Sequence, residues 1–93
     1  NEKSMQELNK KKQKKTKLVE ERNQMSDEQT RLRDNISVLG EDTQSITLKE
    51  RYINKFNDQE TRFEKISVET KKLTQEIESL NKKIETKMNK LKS

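Results

Sequence analysis

A run of closely spaced lysines is the part of this sequence whose residue types most clearly allow chemistry. Six of the eight residues from 10 to 17 are lysine, and a second lysine group lies near the other end of the chain. Several ammonium groups on one short segment attract the phosphates of nucleic acid or of anionic lipid. The candidate anion-binding residues are Lys10, Lys11, Lys12, Lys14, Lys15, Lys17, Lys82, Lys83 and Lys87.

The surroundings of these lysines favour a simpler interpretation, a solvated helix face. No aromatic residue accompanies them, so the segment lacks a surface on which bases would stack. The segment is also poorly amphipathic for insertion into a membrane surface. Binding of nucleic acid or anionic membrane is therefore the alternative function, not the preferred one.

Catalytic and metal-binding chemistry have little material in this chain. It contains no histidine and no cysteine, which excludes disulfides and thiolate zinc sites. No phosphate loop, dinucleotide-binding, calcium-binding or zinc-binding spacing is present. We predict that the chain is not an enzyme, binds no small-molecule substrate and uses no cofactor or metal.

The composition limits the fold to two kinds. The apolar share is 25% and the charged share is 42%, which is too little apolar surface for a globular core. A chain of this kind is either disordered or a coiled coil, in which each helix buries only a narrow seam. The absence of proline and the abundance of Lys, Glu and Gln favour helices.

A seven-residue apolar repeat runs through each half of the chain, and its frame shifts across the polar segment 40–45. Gly40 is suited to end a helix in the left-handed conformation. Thr47 and Glu50 have capping-box spacing, and Asp42 or Ser45 are alternative caps. We predict an all-α antiparallel coiled-coil hairpin, with helices at about 2–39 and 46–91 and a turn at about 40–46; the alternative is a parallel dimer of continuous helices. The predicted core seam consists of Leu8, Leu18, Met25, Leu32, Ile36, Leu39, Tyr52, Phe56, Phe63, Ile66, Leu73, Ile77, Leu80 and Ile84.

One register aligns the two halves of this seam. Facing residues have numbers that add up to 88, which pairs Leu32 with Phe56 and places Gln29 opposite Gln59. We predict that this polar layer sets the register of the helices. The same rule places Arg22 in the seam, from which we expect it to reach an acidic residue on the facing helix.

The second helix carries more apolar residues near the open end than the first, which offers lysines there. A lysine stem covers less apolar surface than leucine does. We therefore predict that this stripe is partly uncovered and binds a partner, either a second copy in a homodimer or a missing part of a longer protein; the alternative is simple fraying. The candidate partner stripe is Leu73, Ile77, Leu80, Ile84, Met88 and Leu91.

Residues 25–65 contain a pattern that is similar to a known helical hairpin. The segment from Gln29 to Asn35, QTRLRDN, is followed by the segment from Leu48 to Tyr52, LKERY, and then by Lys55 and Gln59-Glu60. This pattern resembles the hairpin of bacterial proteins of unknown function that are related to the mucoidy-inhibitor group, in which the hairpin follows a β-rich domain. The resemblance implies that this chain is the hairpin of a multidomain protein, of which the β-rich part lies outside the sequence.

Overall fold

Two long helices account for almost all of the chain. The computed structural model describes residues 2–92, in which helix α1 spans Glu2–Ser37 and helix α2 spans Thr43–Lys92. Contacts join Lys11 near one end of α1 to Glu76 of α2, and Gln29 to Glu60, so the helices run antiparallel. The predicted all-α helical hairpin is confirmed. It measures 75 × 16 × 16 Å between Cα atoms.

The helices are rich in polar residues, and their threonines are accommodated by a repeated local bond. Thr16, Thr47 and Thr74 each donate a hydroxyl hydrogen bond to the backbone carbonyl four residues earlier. This bond satisfies the hydroxyl without interrupting the helix. Over residues 2–92, neither helix holds a stretch that is both long and apolar enough to span a bilayer.

The core is a single seam between the helices. All fourteen residues of the predicted seam are buried or half-buried. Ile66 is fully buried near its centre, and the other buried apolar residues lie on both sides of it. The other buried apolar side chains are Leu8, Leu32, Leu73 and Leu80.

The turn differs in detail from the sequence prediction. Helix α1 ends at Ser37 instead of residue 39, and α2 begins at Thr43 instead of residue 46. The reason is the cap: the Asp42 carboxylate accepts hydrogen bonds from the Ser45 N–H at 3.1 Å and from the Ser45 hydroxyl at 2.6 Å. These bonds satisfy the first turn of α2 and lower the pKa of Asp42.

The left-handed conformation expected for Gly40 is wrong, because Gly40 does not have a positive φ. Helix α1 instead closes with a tight turn in which the Leu39 N–H donates to the Ile36 carbonyl at 3.2 Å. A Cβ atom placed on Gly40 would lie 3.4 Å from an Asp42 carboxylate oxygen, which is an ordinary contact. The position therefore does not require glycine.

Candidate interaction surfaces

The two sides of the seam differ strongly in charge. Of the twelve helical positions that flank the seam on one side, ten are charged; on the other side three of twelve are charged. On each helix, one heptad position borders the core positions on one side of the seam and a second borders them on the other side. We call the first side the charged flank and the second the neutral flank. The charged flank comprises residues 7, 14, 21, 28 and 35 of α1 and 48, 55, 62, 69, 76, 83 and 90 of α2; the neutral flank comprises 5, 12, 19, 26 and 33 of α1 and 46, 53, 60, 67, 74, 81 and 88 of α2.

A ladder of ion pairs joins the helices along the charged flank. In each of three pairs the residue numbers add up to 83, and the pairs recur every seven residues on both helices, so they share one register. Arg62 binds Glu21 through two nitrogen atoms, with Nη2 at 2.8 Å from Oε1. The ladder consists of Lys14–Glu69 at 2.9 Å, Glu21–Arg62, and Glu28–Lys55 at 4.0 Å.

The ion pairs change the acidity of their members in the direction that favours the charged forms. The hydrogen bond from Arg62 lowers the pKa of Glu21, and the hydrogen bond from Lys14 lowers the pKa of Glu69. The bond to Glu21 raises the pKa of Arg62 in turn. These groups are surface ion pairs that join the two helices in one register.

The contacts of Lys11 show how the lysine-rich segment of α1 covers apolar residues of α2. Its ammonium lies 2.6 Å from the Glu76 carboxylate, which raises the pKa of Lys11 and lowers that of Glu76. The stem must cross the edge of the seam to reach this partner, and Lys15 is half-buried in the same stretch. Leu73 is consequently only 3% exposed, although the sequence analysis expected it to be partly uncovered.

The predicted partner stripe is therefore not one continuous exposed surface. Leu73 and Leu80 are buried against α1, which contradicts the expectation that they are available to a partner. Ile77 and Ile84 are half-buried, and the exposed members are Met88 and Leu91 at the end of α2.

The structure divides the predicted anion-binding cluster in two. Lys11 and Lys14 are held by glutamates of α2, and Lys15 is half-buried. The lysines that remain exposed line the open end of the hairpin, where one shallow groove of about 390 Å³ is formed by Ser79 and Thr86 together with four lysines of α2. Lys14 is itself exposed; the exposed members of the predicted cluster that form no ion pair with a glutamate of α2 are Lys10, Lys12, Lys17, Lys82, Lys83 and Lys87.

The two glutamines of the polar layer are both buried, but each bonds to a glutamate of the other helix. Gln29 donates to Glu60 at 3.0 Å, and Gln59 donates to Glu28 at 2.7 Å. Within residues 2–92, the carboxamide oxygen of Gln59 has no hydrogen-bond partner. The polar layer therefore consists of four residues, two glutamines and two glutamates, and not of the two glutamines alone.

Arg22 occupies a seam position of the register, but its side chain is exposed to solvent. Ile66, its expected partner, is fully buried. The ion pair at this level is formed by the preceding residue, Glu21, with Arg62. The expected ion pair between Arg22 and an acidic residue of α2 is not formed among residues 2–92.

The neutral flank has few charges and many exposed apolar atoms. Met5, Ile46, Ile53 and Met88 are all on this flank, and their exposure ranges from 42% to 55%. Arg33, also on this flank, lies over the Phe56 ring, with its guanidinium carbon 5.9 Å from the ring centre. No ladder of cross-helix ion pairs lies on this side among residues 2–92.

Comparison of the chain with protein-family models, with curated proteins and with solved structures finds no match. The resemblance to the hairpin of the mucoidy-inhibitor group stays a prediction, and the functional argument depends on the geometry described above.

Proposed function

We propose that this chain is a structural and protein-interaction module, a stiff coiled-coil hairpin that acts as a spacer or oligomerisation element and not as an enzyme. The observation that carries the proposal is the combination of a 75 Å length with cross-helix pairs spread from Lys11–Glu76 to Glu28–Lys55. Pairs distributed along the seam resist sliding and opening of the helices. Such an element holds attached groups at a fixed separation.

Stiffness is tested by distances between spin labels in the full chain. Labels at Gln6 and Val38 are separated by about 48 Å at a rise of 1.5 Å per residue. A second pair, at Asn9 and Ser79, spans the two helices. We expect narrow distance distributions for both pairs. A broad distribution for either pair would contradict the spacer function, because a flexible or opening hairpin cannot set a separation.

A second candidate function is electrostatic binding of nucleic acid or anionic membrane by the open end. The exposed lysines around the groove formed by Ser79 and Thr86 favour it. When these lysines bind phosphates, counterions are released from the phosphates. The affinity therefore falls steeply as salt concentration rises.

The structure indicates which lysines to change in a test of that candidate. The six exposed members outside the cross-helix ion pairs are replaced by Gln, while Lys11 and Lys14 are kept because they pair with glutamates of α2. The six are Lys10, Lys12, Lys17, Lys82, Lys83 and Lys87. We expect the wild-type chain to bind duplex DNA and anionic vesicles weakly at physiological salt. Tight binding that the six-lysine variant abolishes would replace the spacer function with anion binding.

A further inference from the structure

The exposed apolar side chains of the neutral flank form a periodic series. Ile46, Ile53 and Met88 are separated by multiples of seven residues along α2, and Met5 occupies the equivalent position on α1. A seven-residue series lies along one line on a helix. The hairpin therefore presents exposed apolar side chains at both ends of the neutral flank, Ile46 and Ile53 near the turn and Met5 and Met88 at the open end, on the side that lacks the ion-pair ladder. Between Ile53 and Met88 the flank positions of α2 are polar: Glu60, Ser67, Thr74 and Asn81.

A groove lies on the same flank, in the half of the hairpin toward the open end. It has a volume of about 480 Å³ and is lined by the apolar side chains of Val19 and Ile77 together with Lys12, Lys15, Thr16 and Glu20. Ile77 is half-buried, and the residue that faces it in the register is Lys11, whose ammonium binds Glu76 on the charged flank. The groove has the size and lining to receive an aliphatic side chain from outside the hairpin.

We propose that the neutral flank is a self-association surface on which a second copy of this chain docks antiparallel to the first. This inference rests on the proposed function, since it names the partner of an oligomerisation element. Two neutral flanks packed face to face form a four-helix assembly in which both ion-pair ladders stay in solvent. The exposed isoleucines of one copy then face the groove half of the other copy.

The charge distribution selects a second copy in this orientation. Residues 2–20 carry seven lysines and three glutamates, and residues 82–92 carry five lysines and one glutamate, so the open end is strongly basic. Residues 21–81 carry ten basic and thirteen acidic residues. An antiparallel pair places the basic end of each copy beside the acidic part of the other, whereas a parallel pair brings two basic ends together.

The test measures the mass of the full chain by analytical ultracentrifugation across concentration, for wild type and two variants. Ile46→Lys with Ile53→Lys adds two charges to the neutral flank. Val38→Lys with Val68→Lys adds the same charges at exposed apolar residues outside both flanks, at 81% and 70% exposure. Circular dichroism verifies that each variant remains helical. We expect the isoleucine variant to weaken dimerisation by about tenfold or more and the valine variant to leave it unchanged.

Orientation is measured with a single spin label at Met88. An antiparallel dimer separates the two labels by most of the length of the hairpin, while a parallel dimer brings them together. A monomer at all concentrations, a dimer insensitive to the isoleucine substitutions, or closely spaced Met88 labels would each overturn the inference. A stiff monomer would still give narrow label distances within one chain. A failure of the self-association proposal is therefore distinguishable from a failure of the spacer function.

Discussion

The polar layer of the seam leaves one acceptor unsatisfied. Gln59 is 7% exposed, its amide nitrogen donates to Glu28, and its oxygen has no partner among residues 2–92. A buried acceptor without a hydrogen bond costs about 1–3 kcal/mol. Coiled coils retain such residues where they exclude other registers, at a cost in stability. The layer therefore exchanges some stability for a single alignment of the helices.

Replacing Gln59 by leucine should stabilise the hairpin. The change removes the unsatisfied oxygen and fills the site with apolar atoms, while Glu28 stays half-exposed near Lys55 and is hydrated. We expect the free energy of unfolding to increase by about 1 kcal/mol. The measurement is urea unfolding followed by circular dichroism. Gln75→Leu, at an exposed position of the same helix, is the matched control and should change stability by less than about 0.5 kcal/mol. A loss of stability in Gln59→Leu would show that the bond to Glu28 outweighs the orphaned oxygen.

The turn depends on Asp42 and not on Gly40. Gly40→Ala should raise the free energy of unfolding by about 0.4–1 kcal/mol, because alanine fits the native backbone and reduces the freedom of the unfolded chain. Asp42→Ala should lower the melting temperature, because it removes both bonds to Ser45. Thermal melts of the two variants measure the effects. The opposite order of stabilities would restore the left-handed glycine predicted from the sequence.

The ion pairs between the helices make stability depend on acidity. The pKa values of Glu21, Glu69 and Glu76 lie below their ordinary range, so their contribution is present above about pH 4–5 and is lost as pH falls through the ordinary and then the lowered values. We expect the melting temperature to fall on acidification from pH 7 to pH 3.

The ion-pair contribution is separated from general charge repulsion by two matched variants. Changing Glu21, Glu69 and Glu76 to Gln should lower the melting temperature at pH 7 and reduce its further fall at pH 3. Changing the exposed Glu50, Glu64 and Glu85 to Gln should leave the fall nearly intact. Melts in added salt screen the repulsion among lysines. Equal pH profiles for the two variants would assign the whole effect to net charge.

At the level of the helices, the sequence predicted the hairpin and its register because apolar spacing and polar pairs agree on one alignment. The sequence misplaced both helix ends at the turn. Asp42 and Thr47 are both suitable caps for α2, and which of them begins the helix depends on the three-dimensional path of the turn. The ladder was accessible to sequence reasoning, because Lys14, Glu21 and Glu28 repeat every seven residues opposite complementary charges. The burial of Leu73 was not accessible to sequence reasoning, because it depends on how the side chains of Lys11 and Lys15 lie across the seam.

At the level of the whole molecule, the two flanks make the hairpin two-sided. The charged flank engages most of its charged side chains in ion pairs within one chain, whereas the neutral flank leaves Ile46 and Ile53 exposed. The excess of apolar residues on α2 over the lysines of α1 predicted a partner surface on the seam residues of α2 instead. The difference in charge between the flanks becomes visible only when both helices are aligned in register and the α1 and α2 residues of each flank are counted together.

The seam ends before the chain does, which limits how much of α2 stabilises the hairpin. Leu80 is the last buried residue, Ile84 is half-buried, and all of residues 85–92 are exposed. Deleting residues 85–93 should therefore leave the melting temperature of the dilute chain almost unchanged, and the lost lysines relieve repulsion at the open end. Leu80→Ala, which removes buried atoms, should instead cost about 2–5 kcal/mol. Thermal melts at the lowest usable concentration compare the two, and hydrogen exchange should show weakly protected amides after Ile84. A large loss of stability in the truncated chain would mean that the end of α2 packs against the hairpin more closely than its exposure indicates.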